Sequence, residues 1–222
     1  MAQVFPSPNF GDRRGGLRPE LIVIHYTAMA SCSAARDRLC DPAAEVSAHW
    51  LIDRDGTAEA LVAEEARAWH AGAGAWAGRG DVNSRSIGIE LVNTGAEPFC
   101  EPQMTALEVV LEQIMARWSI PPSGVIGHSD MAPDRKIDPG RRFDWRRLAR
   151  RGLALWPDTG AALPEGGEPD AQAFAAALTR FGYPDAPFEA RLAAFRLRFR
   201  PGAQGPLARA DMALALALAK AS

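Results

Sequence analysis

The sequence predicts an α/β fold: a mixed central sheet flanked by helices, followed by a small three-helix module. Three observations carry that reading. Leu21-Ile22-Val23-Ile24-His25-Tyr26 is a continuous apolar run of the kind buried on both faces of a sheet. Ser86 to Val92 and Val125-Ile126 are further strand-like runs, set apart by a long helical pattern. After Trp156 the composition changes, and three amphipathic segments close the chain.

Each element has its own signal. Ser33 to Cys40 reads as a short helix, opened by a serine cap and closed at Asp41-Pro42. Ala48 to Arg54 and Thr57 to Val62 flank Asp55-Gly56, a strong hairpin signal that leaves His49 at the start of an exposed hairpin. Pro102 opens a long helix in which Met104, Leu107, Leu111, Ile114, Met115 and Trp118 recur at helical spacing. Pro121-Pro122 stops it, and Val125-Ile126 begins the last strand of a first domain spanning residues 1–155. Residues 156–168 are rich in Gly and Pro and read as a linker. The module, 169–222, is expected to hold helices at about 170–181, 187–199 and 206–220. Leu214 to Ala219 alternates like a strand, but its alanine content and length favour a helix. Three short helices make a marginal core, so the module should dock on the first domain.

Composition excludes several function classes. The chain has 222 residues, 47% hydrophobic and 23% charged, with a net charge of −2. Such a surface carries no field that would hold nucleic acid through counterion release. The arginines clustered at 141, 142, 146, 147, 150 and 151 read as a solvated helix face. No apolar run approaches the length of a membrane span, and the first residues contain no signal-type apolar core. The expected compartment is the cytoplasm, or the periplasm had a signal been removed, and a monomer is expected. Cys32, Cys40 and Cys100 are too few and too irregular for a disulfide framework, and reduced thiols are expected.

The chemistry concentrates after Val125-Ile126, where Gly127 to Gly140 packs His128, Lys136 and Asp138 into a Gly/Pro-punctuated loop. His128 and Asp138 are both ligand types for first-row metals and need a third partner. His25, His49 and His70 are the other histidines. His25 is favoured because it ends the most apolar strand, as His128 follows another. A His25/His128/Asp138 set leaves tetrahedral zinc one open position, the pattern of a catalytic site. Glu90, framed by Ile87, Gly88, Ile89 and Leu91, is placed to take a proton from an attacking water. Lys136 would lie beside the metal and stabilise an oxyanion.

Five segments together resemble the zinc-dependent N-acetylmuramoyl-L-alanine amidases, the amidase-2 group related to peptidoglycan recognition proteins. They are Ile24 to Ala28, Ser47 to Gly56, Ala68 to Gly72, Asn83 to Glu90, and Gly127 to Gly140, and they fall in family order over about residues 5–150. The resemblance implies hydrolysis of the amide between N-acetylmuramic acid and L-alanine of the stem peptide, with a muropeptide or peptidoglycan as substrate. It implies zinc on His25, His128 and Asp138, Glu90 as general base and Lys136 at the transition state. Trp69, His70 and Asn83 would line the substrate cleft, and His49 would be structural. Ala193 to Pro201 is similar to a helix of the small peptidoglycan-binding module attached to some such amidases. Recognition proteins on the same scaffold bind without cleaving because they lack a metal ligand. Here all three positions are filled.

Overall fold

A computed structural model of the chain describes residues 3–157 and 168–221; most of the expected linker, residues 158–167, lies outside them. The strands are β1 (Gln3–Val4), β2 (Phe10–Gly11), β3 (Leu21–Tyr26), β4 (Trp50–Ile52), β5 (Ala58–Ala60), β6 (Arg67–Ala68), β7 (Ser86–Leu91) and β8 (Val125–Gly127). The α-helices are α1 (Cys32–Cys40), α2 (Val82–Arg85), α3 (Glu101–Trp118), α4 (His128–Met131), α5 (Trp145–Arg150), α6 (Ala171–Phe181), α7 (Phe188–Phe199) and α8 (Arg209–Ala221). Six strands form one mixed sheet in the order β1-β5-β4-β7-β3-β8, and β2 pairs with β6 in a small second sheet that the sequence did not signal.

β3 runs parallel to both β7 and β8, and Ile22, Val23 and Ile24 are wholly buried, as a central strand requires. Its two faces meet different partners. Ile22 and Ile24 join Ile87, Ile89 and Leu91 against Met104, Leu107, Leu111 and Ile114 of α3. Leu21 and Val23 face the opposite side, in one apolar cluster with Phe174, Leu178, Phe195 and Phe199 of the C-terminal helices. The module's apolar core is therefore continuous with that of the sheet. Each large side chain fully buried there contributes about 1.5–3 kcal/mol, which offsets what three short helices cannot supply alone.

Several expectations are corrected. α1 starts at Cys32, one residue before the expected start, because Ser31 is the cap: its Oγ accepts from the Ala34 amide at 3.3 Å. The hairpin strands are shorter than read, and the turn widens to Asp53–Thr57, with Gly56 at φ +90°. His49 is buried rather than on an exposed hairpin, because β4 is an interior strand between β5 and β7. The arginine cluster is only partly a solvated face. Arg147 binds Glu101 and Glu108, and Arg151 binds Glu112, so these side chains tie α5 to α3. The last segment, 209–221, is a helix, with Met212, Ala215, Leu218 and Ala219 buried on one side. All three cysteines are free and half-buried. Among the described residues no helix is long and apolar enough to cross a membrane.

Candidate metal and active site

Register builds the site. In the parallel ladder His25 lies opposite Glu90, and Ile24 opposite Gly127, so His25, Glu90 and His128 all emerge at the carboxyl ends of neighbouring strands. That edge is where open α/β sheets place ligands. The chain after β8 turns at once into α4, a single helical turn inside what the sequence read as loop. Ser129 N–H donates to the Asp138 carbonyl at 2.9 Å, folding the segment back so that Asp138 returns to His128.

The result is a triangle of donor atoms. His25 Nδ1 is 2.9 Å from His128 Nδ1 and 2.9 Å from Asp138 Oδ2, and His128 Nδ1 is 3.0 Å from the same oxygen. All three residues are buried. The outer nitrogens determine what the inner ones carry. His128 Nε2–H donates to the Ala71 carbonyl at 2.9 Å, which leaves Nδ1 as a lone pair. Ser86 donates its hydroxyl proton to the Val82 carbonyl at 2.6 Å, so its Oγ accepts from His70 Nε2–H at 3.1 Å. His70 Nδ1 then accepts from His25 Nε2–H at 3.0 Å, and His25 Nδ1 is also a lone pair. Two imidazole lone pairs thus face one carboxylate at hydrogen-bond distance with no proton between them. A shared proton or a metal cation resolves that arrangement, and the donor set fits a first-row metal.

Burial pushes the His25 imidazole down to about 4, so it stays neutral as a ligand must. Burial likewise pushes His49 down to about 3. The His49 ring is structural, accepting from the Gly88 amide through Nδ1 and donating to the Ala66 carbonyl through Nε2.

Glu90 lines the same cavity, of about 420 Å³, and its Oε2 is enclosed with no hydrogen-bond partner among the described residues. Burial, together with the charge of Asp138, pushes its carboxyl up to about 8, against the pull of Lys136. A carboxyl raised above its ordinary 4.5 favours folding in its protonated form. That contribution is complete below 4.5 and is lost as pH rises through about 8. His25 acts with the opposite sign, losing stability as pH falls from 6.5 through about 4. Between pH 6.5 and 8, the window these shifts leave to Glu90, the metal-free protein should lose thermal stability as pH rises. A Glu90→Gln variant should show a flatter Tm across that window; an identical slope in both proteins would contradict the assignment.

The other expected residues divide. Lys136 and Trp69 line the cavity. His70 lines it too, but both ring nitrogens are committed to His25 and Ser86, so it supports a ligand rather than meeting solute. Asn83 does not line the cavity. Its Oδ1 accepts from the His70 and Ala71 amides at 3.1 and 2.8 Å, fixing the segment that holds both imidazoles. Sequence reasoning missed Ser86, although Ser86, Gly88 and Glu90 alternate along β7 onto the site face. It also missed Tyr26, Arg38, Arg135 and Ile137 on the cavity wall.

Comparison with known proteins agrees with this geometry. Residues 15–141 match the N-acetylmuramoyl-L-alanine amidase family, Amidase_2. The chain is 37% identical over 215 residues to N-acetylmuramoyl-L-alanine amidase AmiD of Escherichia coli, covering 83% of this chain and 76% of that one. It is 35% identical to 1,6-anhydro-N-acetylmuramyl-L-alanine amidase AmpD of Enterobacter cloacae, over 66% of this chain and 88% of that one. The solved complex of AmiD with anhydro-N-acetylmuramic acid-L-Ala-D-gamma-Glu-L-Lys superposes with a TM-score of 0.84 at 33% identity, covering 94% of this chain and 91% of that one. AmpDh3 of Pseudomonas aeruginosa, solved with anhydromuramic pentapeptide, gives 0.83 at 32% identity, over 94% of each. By its motif, its fold and its cluster of donor atoms, the chain belongs to the N-acetylmuramoyl-L-alanine amidase family.

Proposed function

We propose that this protein is a zinc amidase that hydrolyses the amide between N-acetylmuramic acid, or its 1,6-anhydro form, and L-alanine of the stem peptide, in peptidoglycan recycling or turnover. The observation that carries the reading is the convergence of His25, His128 and Asp138 beside the enclosed Oε2 of Glu90. Two imidazoles and one carboxylate suit zinc rather than the all-oxygen shells of calcium or magnesium. Zinc–ligand bonds of about 2.0–2.1 Å in a tetrahedron set ligands roughly 3.3 Å apart, close to the observed triangle. Bound there, zinc would supply a Lewis acid for the scissile carbonyl and acidify a water at the open position.

The protein's own groups do the rest. Glu90 takes the proton of the attacking water and returns it to the leaving L-alanine nitrogen. Lys136, on the cavity wall near Asp138, brings an ammonium to the developing oxyanion. Trp69 offers an apolar face to the substrate, while Arg38 and Arg135 present cations to the carboxylates of a stem peptide.

The test is release of stem peptide from a soluble anhydromuropeptide and from intact sacculi, before and after chelation. Activity should vanish with the metal and return with zinc, and the preferred substrate separates recycling from wall turnover. Undiminished turnover in zinc-free protein would overturn the proposal. A related prediction concerns Gly88, where an added Cβ would lie 2.4 Å from His70 Cγ. Gly88→Ala should displace the His70 ring from His25 and weaken zinc binding about tenfold or more, as loss of a ligand's supporting hydrogen bond does. Competition with a chromophoric chelator measures it, and wild-type affinity would refute the role given to His70.

A further inference from the structure

The C-terminal helices reach the metal-site turn directly. Asp130, two residues after His128 on α4, is wholly buried. Its Oδ2 accepts from the Gly127 amide at 2.8 Å and from the Arg198 guanidinium at 2.7 Å, and its Oδ1 accepts from the Tyr183 hydroxyl. Arg198 comes from α7 and Tyr183 from just beyond α6, and both are themselves 2% exposed. The Arg198 guanidinium also lies 4.1 Å from the centre of the Trp145 ring of α5, so it is held between the two parts of the chain.

A carboxylate at that depth is strongly penalised unless every lone pair is met. Here the module meets two of the three contacts, and the third is the amide at which β8 turns into α4. Asp130 therefore sets the angle at which His128 leaves the sheet. The same turn donates the Ser129 amide to the Asp138 carbonyl, so a displaced α4 carries two of the three donor atoms with it. The apolar contacts follow the same path: Met131 and Ala132, next along the turn, share one buried cluster with Phe181, Phe195 and Phe199.

We propose that the C-terminal module is a positioning element of the metal centre: Tyr183 and Arg198 hold Asp130, and Asp130 fixes the turn that presents His128 and anchors Asp138. This rests on the zinc reading above and gives the module a task inside the amidase itself, independent of any glycan it binds. Tyr183 and Arg198 are positioning residues, since they act through Asp130.

The experiment measures zinc affinity of the full chain by chelator competition in Arg198→Met, Arg198→Lys, Tyr183→Phe and Arg196→Met. Arg196 is the control: it sits on the same helix and is also buried, but its partners Asp211, Gly205 and Pro206 all belong to the module. Arg198→Met should weaken zinc binding about tenfold and Tyr183→Phe about threefold, the lower range for supporting contacts. Arg198→Lys should recover part of the loss. Arg196→Met should lower Tm yet keep wild-type affinity. Equal loss in Arg196→Met and Arg198→Met would reduce the effect to general destabilisation and overturn the proposal. Should Arg198→Met not fold, Tyr183→Phe decides alone, since it removes one hydroxyl, and unchanged affinity there overturns it. Wild-type protein that binds no zinc would instead sink the metal reading and this inference together.

Discussion

Replacing Glu90 with glutamine is expected to lower hydrolysis of an anhydromuramoyl peptide about 10²- to 10⁴-fold, the range a positioned general base supplies, with zinc content unchanged. Glu90 sits opposite His25 in the β3–β7 ladder and on the wall of the same cavity, yet it is not one of the three converging donors. Its Oε2 is enclosed and unpartnered among the described residues, an arrangement a purely structural carboxyl avoids. Glutamine keeps the volume and one acceptor oxygen but cannot take a proton. The loss should therefore appear in kcat, with KM little changed. Retained turnover with full zinc would remove Glu90 from the proton path, and loss of zinc along with activity would make it a structural support instead.

Much of this site is legible in the sequence because it lies at strand ends. A run such as Leu21–Tyr26 announces a buried strand, and the residues near its carboxyl end are placed at the edge where ligands bind. His25, Glu90 and His128 share that signal, which is why a one-dimensional reading could bring them together. Asn83 did not, because asparagine serves a cleft and a backbone amide equally well, and spacing does not show which way Oδ1 turns. It turns toward the His70 and Ala71 amides. His49 misled for a related reason. A hairpin signal locates a turn but says nothing about which strand of the pair is interior, and β4 proved to be flanked on both sides.

The contacts least visible in the sequence are the long-range polar ones. Arg198 lies near the end of α7, and its carboxylate partner is 68 residues away. Arg147 and Arg151 likewise find Glu101, Glu108 and Glu112 about forty residues back. Periodicity identifies faces that exclude water. It does not identify a charge buried by a partner from elsewhere, since the pattern at either site alone is that of an exposed residue.

Asp138→Asn is expected to abolish tight zinc binding and, at the same time, to raise the Tm of the metal-free protein. In the wild-type chain the Asp138 carboxylate faces two imidazole lone pairs at 2.9 and 3.0 Å, a repulsion that a bound cation relieves. The asparagine amide can turn an N–H toward one of those nitrogens, converting the repulsion into a hydrogen bond worth about 1 kcal/mol. Zinc then loses its only anionic ligand. Roughly 10 kcal/mol of apparent binding energy, the low end for structural zinc sites, divided over three protein ligands assigns about 3 kcal/mol to each, or about two decades in affinity. Thermal melts with and without zinc read both effects. The wild type should gain stability with zinc by mass action, while Asp138→Asn should start higher and gain little. A variant that starts lower than the metal-free wild type and still responds fully to zinc would mean that the triangle is held by protons rather than built for a metal. The opposing signs matter because ordinary destabilisation cannot produce them: a site strained when empty and relaxed when filled is the physical mark of residues placed for a ligand rather than for the fold.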